Sequence, residues 1–264
     1  DIDVEKSRKR LVTIAASTIG AVAVAGGAFW IVDASIAAHA ERNLSKAVAE
    51  SADLENDPRV FLGSSIYSTA FFTGELDSVS IDMLDVEIPG VGMVNARTEV
   101  ENVEVSRDQI LSGDLNGTTA ETFTRTLRMD GVAIGAQLGI TDLDISHPID
   151  ISPSGGIASE AILTGTPPDM EDPVSVLVTL RLVGSEFQML PYELIDAPSG
   201  LTLDDVAPDF TWKIDTLQLP LADRAMAVYL SGGSVHFQSE ARNVQLTPRE
   251  LSPLAAPEEN SDES

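Results

Sequence analysis

The sequence predicts an α+β fold: a curved antiparallel β-sheet wrapped around an amphipathic helix, with one transmembrane helix before it. Three observations predict it. The 22 residues from Leu11 to Val32 carry no charge. The apolar residues that follow recur at three- and four-residue spacing as far as Val48, the period of a helix with one buried stripe. From Val60 onward the period falls to two, as in strands that are apolar on one face.

A helix made of the uncharged run spans about 33 Å, enough for the ~30 Å hydrocarbon core of a bilayer. Lys6, Arg8, Lys9 and Arg10 stand just before it. Such a cluster stays on the cytoplasmic side, which puts everything after Asp33 outside. The competing reading is a cleaved signal peptide, with Ala38-His39-Ala40 as a small-x-small site. Signal h-regions run 7–15 residues, and this run is longer. The chain starts at Asp1 rather than Met, which leaves room for a longer cytoplasmic tail. The organisation expected is a basic segment over 1–10, an anchor over 11–32, an extracytoplasmic domain over 33–251 and a disordered acidic tail over 252–264.

Ile36, Ala37, Ala40, Leu44, Ala47 and Val48 form one helix face, and Glu41, Arg42, Lys46 and Glu50 the other. This amphipathic helix continues the transmembrane one and ends by Asp57-Pro58, since the residue before a proline avoids the helical region. Val79, Ile81 and Met83 then alternate with polar residues, and the phase slips to Leu84, Val86 and Ile88. Val94, Ala96, Thr98 and Val100 alternate next, and a second slip gives Val103 and Val105. Slips of one residue in long strands signal bulges, which bend a sheet. Val174 to Leu182 is the cleanest alternating strand. Phe210, Trp212 and Ile214 make another, and Ser231-Gly232-Gly233-Ser234 marks a hairpin. Ser106 can cap a helical turn ended by Gly113, and Ile134 to Leu138 forms another closed by Gly139. Asp196 to Pro208 reads as a loop. Tyr67, Ala70, Phe71 and Phe72 read as strand, with the two adjacent phenylalanines on opposite faces.

Composition narrows function. Cysteine is absent, which excludes disulfides, thiolate metal sites and a cysteine nucleophile. Removing the four bases and three acids before Asp33 leaves 12 Lys and Arg against 39 Asp and Glu. A surface at −27 repels nucleic acid, so no nucleic-acid partner is expected. His39, His147 and His236 lack metal-ligand spacing and read as structural or solvated. Asp142, Asp144 and Asp150 lack the glycine and the further oxygens of a calcium loop. No G-x-S-x-G elbow or phosphate loop occurs. The chain therefore reads as a non-enzyme that needs no metal or cofactor. With only 5% aromatic residues, the inward positions are aliphatic, which suits either a soft cavity or a plain packed core.

The apolar segment and an Asp33…Glu41…Leu44 helix are followed by Asp57-Pro58-Arg59-Val60 and Phe71-Phe72-Thr73-Gly74-Glu75-Leu76. Then come Val79-Ser80-Ile81, Asn95-Ala96-Arg97-Thr98-Glu99-Val100-Glu101-Asn102-Val103, Ser112-Gly113-Asp114, Leu217-Gln218-Leu219-Pro220 and Asn243-Val244-Gln245-Leu246. This order of motifs resembles the LmeA-like phospholipid-binding proteins of the actinobacterial envelope. Asp130-Gly131-Val132 and the stretch from Ser159 to Pro167 look like the corynebacterial branch. Gly63-Ser64-Ser65-Ile66-Tyr67 departs from the apolar element expected there. The resemblance implies a tubular lipid-binding-like domain whose curved sheet holds acyl chains. It also implies a non-catalytic role in envelope lipid or lipoglycan metabolism, with a phospholipid, of the phosphoinositide class, as partner. The pocket lining expected is Leu44, Val48, Phe71, Phe72, Ile110, Leu111, Ile134 and Leu138, with Arg125 and Arg128 for the headgroup. Protein partners are not specified. The alternative is a structural or interaction module of the envelope with a filled core, and an envelope hydrolase stands third.

Overall fold

The computed structural model describes residues 2–63, 66–148 and 159–254. The elements run α1 (Ile2–Ser51), β1 (Arg59–Gly63), α2 (Ala70–Thr73), β2 (Glu75–Ile88), β3 (Gly92–Glu104), α3 (Arg107–Ser112), β4 (Thr119–Met129) and α4 (Gly131–Leu138). They continue with β5 (Asp144–Ser146), β6 (Glu160–Gly165), β7 (Val174–Val183), β8 (Glu186–Asp196), α5 (Leu203–Val206), β9 (Trp212–Asp215), β10 (Ala227–Ser231), β11 (Ser234–Gln245) and α6 (Pro248–Leu251). All strand pairs are antiparallel. One sheet has the order β1-β2-β3-β4-β11-β10 and curls into a half-barrel; the other has the order β5-β6-β7-β8-β9.

The amphipathic helix continues the uncharged one without a break. α1 is continuous for 50 residues, about 75 Å of rod. Between Ser17 and Val32 its side chains are exposed all round. Beyond that, Ala40, Leu44 and Val48 are buried against the half-barrel, so a single rod is apolar outside the domain and amphipathic on it.

Two cores result. The first lies between α1 and the upper half of the larger sheet, where Leu44 and Val48 meet Leu62, Val79, Ile81, Val100, Ile110, Leu115 and Phe123. The second lies between the lower half of that sheet, the smaller sheet and α4. There Phe187, Trp212 and Phe237 pack edge to face, with ring centroids 4.8–6.2 Å apart. The space between α1 and the sheet, which composition left open as trough or core, is occupied by the side chains of the first core.

Local signals account for many boundaries. Ser106 and Gln109 form a capping box at α3, and Gly113 ends it at φ 74°. Asp130 accepts the amides of Val132 and Ala133 at α4, and Gly139 closes that helix at φ 72°. Gly232 and Gly233 both take positive φ, as a two-residue hairpin requires. The first predicted slip is a bulge: the β2–β3 register shifts between Met83 and Val86, and Asp85, at φ 52°, donates its amide to Asn95 Oδ1 at 2.8 Å.

The second slip is a different device. The register of β3 is kept on both sides: Val79, Val100, Phe123 and Ala241 form one row across β2, β3, β4 and β11, and Leu76, Val103, Ala120 and Val244 form another. All four strands place two consecutive residues outward between these rows. Asn102 and Asn243 do so at φ 53°, and Asn102 Nδ2 donates to Glu121 Oε2 at 2.6 Å. The step is therefore matched across the sheet, and no residue is inserted.

Three further expectations change. Tyr67 to Thr73 is a 3-10 turn running into α2, not strand, because the Asp33 carboxylate caps it. The 196–208 loop contains α5, which carries a capping box of Thr202 and Asp205. Ser252 and Pro253 are buried rather than loose. Residues 255–264, Asp150, and Ser64 and Ser65 of the departing motif lie outside the described residues.

Candidate functional site

Where α1 leaves the domain, several apolar surfaces converge. Phe29, Trp30, Ile31 and Val32 are exposed on the rod. Asp33, the first charge after the uncharged run, fixes the domain to that level. Its Oδ2 accepts the Tyr67 amide at 2.9 Å and its Oδ1 the Ser68 amide at 2.6 Å. Tyr67 is buried, and its hydroxyl donates to the Ile110 carbonyl at 2.7 Å, which ties the capped turn to α3. Burial, together with the charges of Glu41 and Asp33, holds that phenol far above its ordinary pKa, so it stays a donor.

α3 lies along α1. Gly113 packs so closely that a Cβ there would stand 2.3 Å from the Ala40 carbonyl oxygen, and Asn43 Nδ2 donates to the Ser112 carbonyl at 2.9 Å. Beside this contact is a groove of about 330 Å³ lined by Ile31, Val32, Ser35, Ile36, His39 and Leu111. Two of these residues belong to the uncharged run itself. The volume is at the lower end for a small-ligand site. Its lining holds no Lys or Arg and is mostly aliphatic, so it suits hydrocarbon rather than a phosphate.

A second groove, open and about 850 Å³, lies near the other end of α1. Asp53, Glu55, Asp57, Asp82, Asp85 and Glu87 line it, a field that repels an anionic headgroup. Among the described residues, no group of three or more His, Cys, Asp or Glu is placed to hold a metal.

Between the two cores runs a polar row: Thr98, Arg125 and Ser239 are paired across β3, β4 and β11, and all are buried. Arg125 is 3% exposed, lies 5.4 Å from the Phe123 ring centroid and donates through Nη2 to the Glu250 carbonyl of α6 at 2.6 Å. Burial draws the guanidinium down to about 10, with Glu250 pulling the other way, so it is still a cation at neutral pH. The Thr98 hydroxyl is buried without a hydrogen-bond partner.

Residues 31–240 match the LmeA-like phospholipid-binding family. The chain belongs to that family. No curated protein and no solved structure matches it. The LmeA-like family is defined by binding of phospholipid and not by a reaction.

The structure distributes the ten candidate residues over several places. Leu44, Val48 and Ile110 are interior to the first core, and Phe71 packs against it. Ile134 is interior to the second core, with Leu138 packed on it. Phe72 and Leu111 are exposed, at 90% and 48%, beside the exit of α1. Arg125 is sealed under α6, and Arg128 is exposed with its Nε bonded to Ser234 Oγ at 3.0 Å. Reading the sequence missed Asp33 as a clamp and Ile31, Val32, Ser35, Ile36 and His39 as a lining. The available signal was position: these residues straddle the end of the uncharged run.

Proposed function

We propose that this LmeA-like protein is anchored in the membrane by α1 with its domain on the extracytoplasmic side. There it takes phospholipid from its own leaflet and holds or passes it in support of envelope lipid or lipoglycan metabolism. The observation that carries this reading is the groove at the exit of α1, lined partly by membrane helix and partly by domain, in a chain of the phospholipid-binding family. A hydrocarbon tail can leave the bilayer along Ile31 and Val32 and meet Leu111 and Ile36 without crossing water. Each methylene so buried contributes about 0.8 kcal/mol. The headgroup stays at the surface in this closed form, because Arg125 becomes accessible to a phosphate only with α6 displaced.

Native mass spectrometry of the full chain released from bilayer nanodiscs tests this. Retained phospholipid mass, reduced in Leu111→Asp but kept in Leu138→Trp, is the result expected. Ligand-free protein that also fails to take up fluorescent phospholipid refutes it. Such protein would support the second reading, a non-catalytic interaction module of the envelope, which the filled interiors of both cores favour.

A further inference from the structure

Phe72 packs into neither core and is not part of the groove lining. Among the described residues it is the most exposed large apolar side chain, at 90%. Its place is fixed from two sides. It sits four residues beyond Ser68, about one helical turn, ~6 Å, from the amide that the Asp33 carboxylate holds at the first charge of α1. Leu111 shares the groove with Ile31 and Val32 and is exposed beside it. Trp30 marks the same level on the rod, and tryptophan is an amphipathic aromatic of the kind that collects at a bilayer interface. The headgroup layer on one side of a bilayer is about 5–7 Å deep. A side chain carried at this level therefore lies within or against lipid whenever α1 spans the membrane.

We infer that Phe72 and Leu111 form a wedge that enters the outer interface of the bilayer and holds the domain against the membrane in one orientation. This rests on the membrane-spanning reading of α1 but not on lipid being held in the groove. α1 is unbroken through Asp33, so it offers no hinge about which the domain could swing clear. The occupant is lipid rather than a second protein because the patch is continuous with the exposed apolar surface of the rod.

The absence of native cysteine allows a direct test. Full-length Phe72→Cys and Val132→Cys, the second an exposed position on α4 of the other core, are labelled with an environment-sensitive fluorophore in phosphatidylcholine vesicles. The label at Phe72 should shift to the blue and lose most of its emission to lipids carrying a quencher high on the acyl chain, while the label at Val132 should behave as in water. Protein that floats with the vesicles but keeps a water-like label at Phe72 overturns the wedge and leaves the anchor standing. A blue-shifted label that lipid quenchers do not reach also overturns it, since protein then covers the site. Failure to float overturns the anchor and the wedge together. Lipid retention by the groove is not read in this assay.

Discussion

Replacing Leu44 with Ala tests whether the seam between α1 and the half-barrel is a packed core or a ligand trough. Leu44 is 1% exposed and faces the first core midway along the part of α1 that lies on the domain. The substitution removes three carbons, about 2.4 kcal/mol of transfer free energy at ~0.8 kcal/mol each. The void left behind adds to this. Neither a long helix nor a paired sheet can collapse freely, so a total of about 3–4 kcal/mol is expected. For a domain of this size each kcal/mol lowers Tm by roughly 2–4 °C, which gives a fall of about 10 °C. Thermal unfolding of the full chain in detergent, followed by far-ultraviolet circular dichroism, measures it. A loss below ~1 kcal/mol would mean that Leu44 borders space rather than protein, and the closed description of the seam would fail.

The other predictions concern single contacts. Gly113→Ala places a Cβ 2.3 Å from the Ala40 carbonyl at a residue with φ 74°, so α3 must part from α1. A loss above ~2 kcal/mol and faster hydrogen exchange at Gly113 are expected, and an unchanged Tm would contradict the close approach. Asp33→Ala leaves the Tyr67 and Ser68 amides without their acceptor and should cost about 1–3 kcal/mol, with exchange protection lost first at those two amides. Burial, with Arg128 nearby, holds the His236 imidazole below its ordinary 6.5 despite a bond to the Ser231 backbone. The unfolded chain then takes up this proton first, so stability is whole above about pH 6.5 and declines as pH falls below it. His236→Gln should flatten the slope of Tm against pH just below 6.5, and an identical slope would rule His236 out as its source.

What the chain disclosed beforehand was local. Ser106 with Gly113, Gly232 with Gly233, and the slip after Met83 each state their geometry within a few residues and stand as expected, except that Leu84 is exposed rather than in phase. Phe71 and Phe72 misled because a four-residue helix has no periodicity and aromatic residues favour strands. What fixes that turn is Asp33, more than thirty residues earlier. Arg125 looked available to a headgroup because its cover, the Glu250 carbonyl, comes 125 residues later. The lining of the groove was missed for a related reason: Ile31 and Val32 count as membrane residues in any one-dimensional reading, and only the passage of α3 alongside them makes a concavity.

The matched step in the half-barrel has a consequence for what the sheet tolerates. Asp77, Asn102, Glu121 and Asn243 occupy one line across β2, β3, β4 and β11, where every strand changes the side it shows to the interior. Losing or gaining one residue at this line in a single strand would turn half of that strand inside out against neighbours still in phase. Length changes here are therefore admissible only as a set of four, and a chain trimmed at Asn102 alone should come out of the ribosome insoluble.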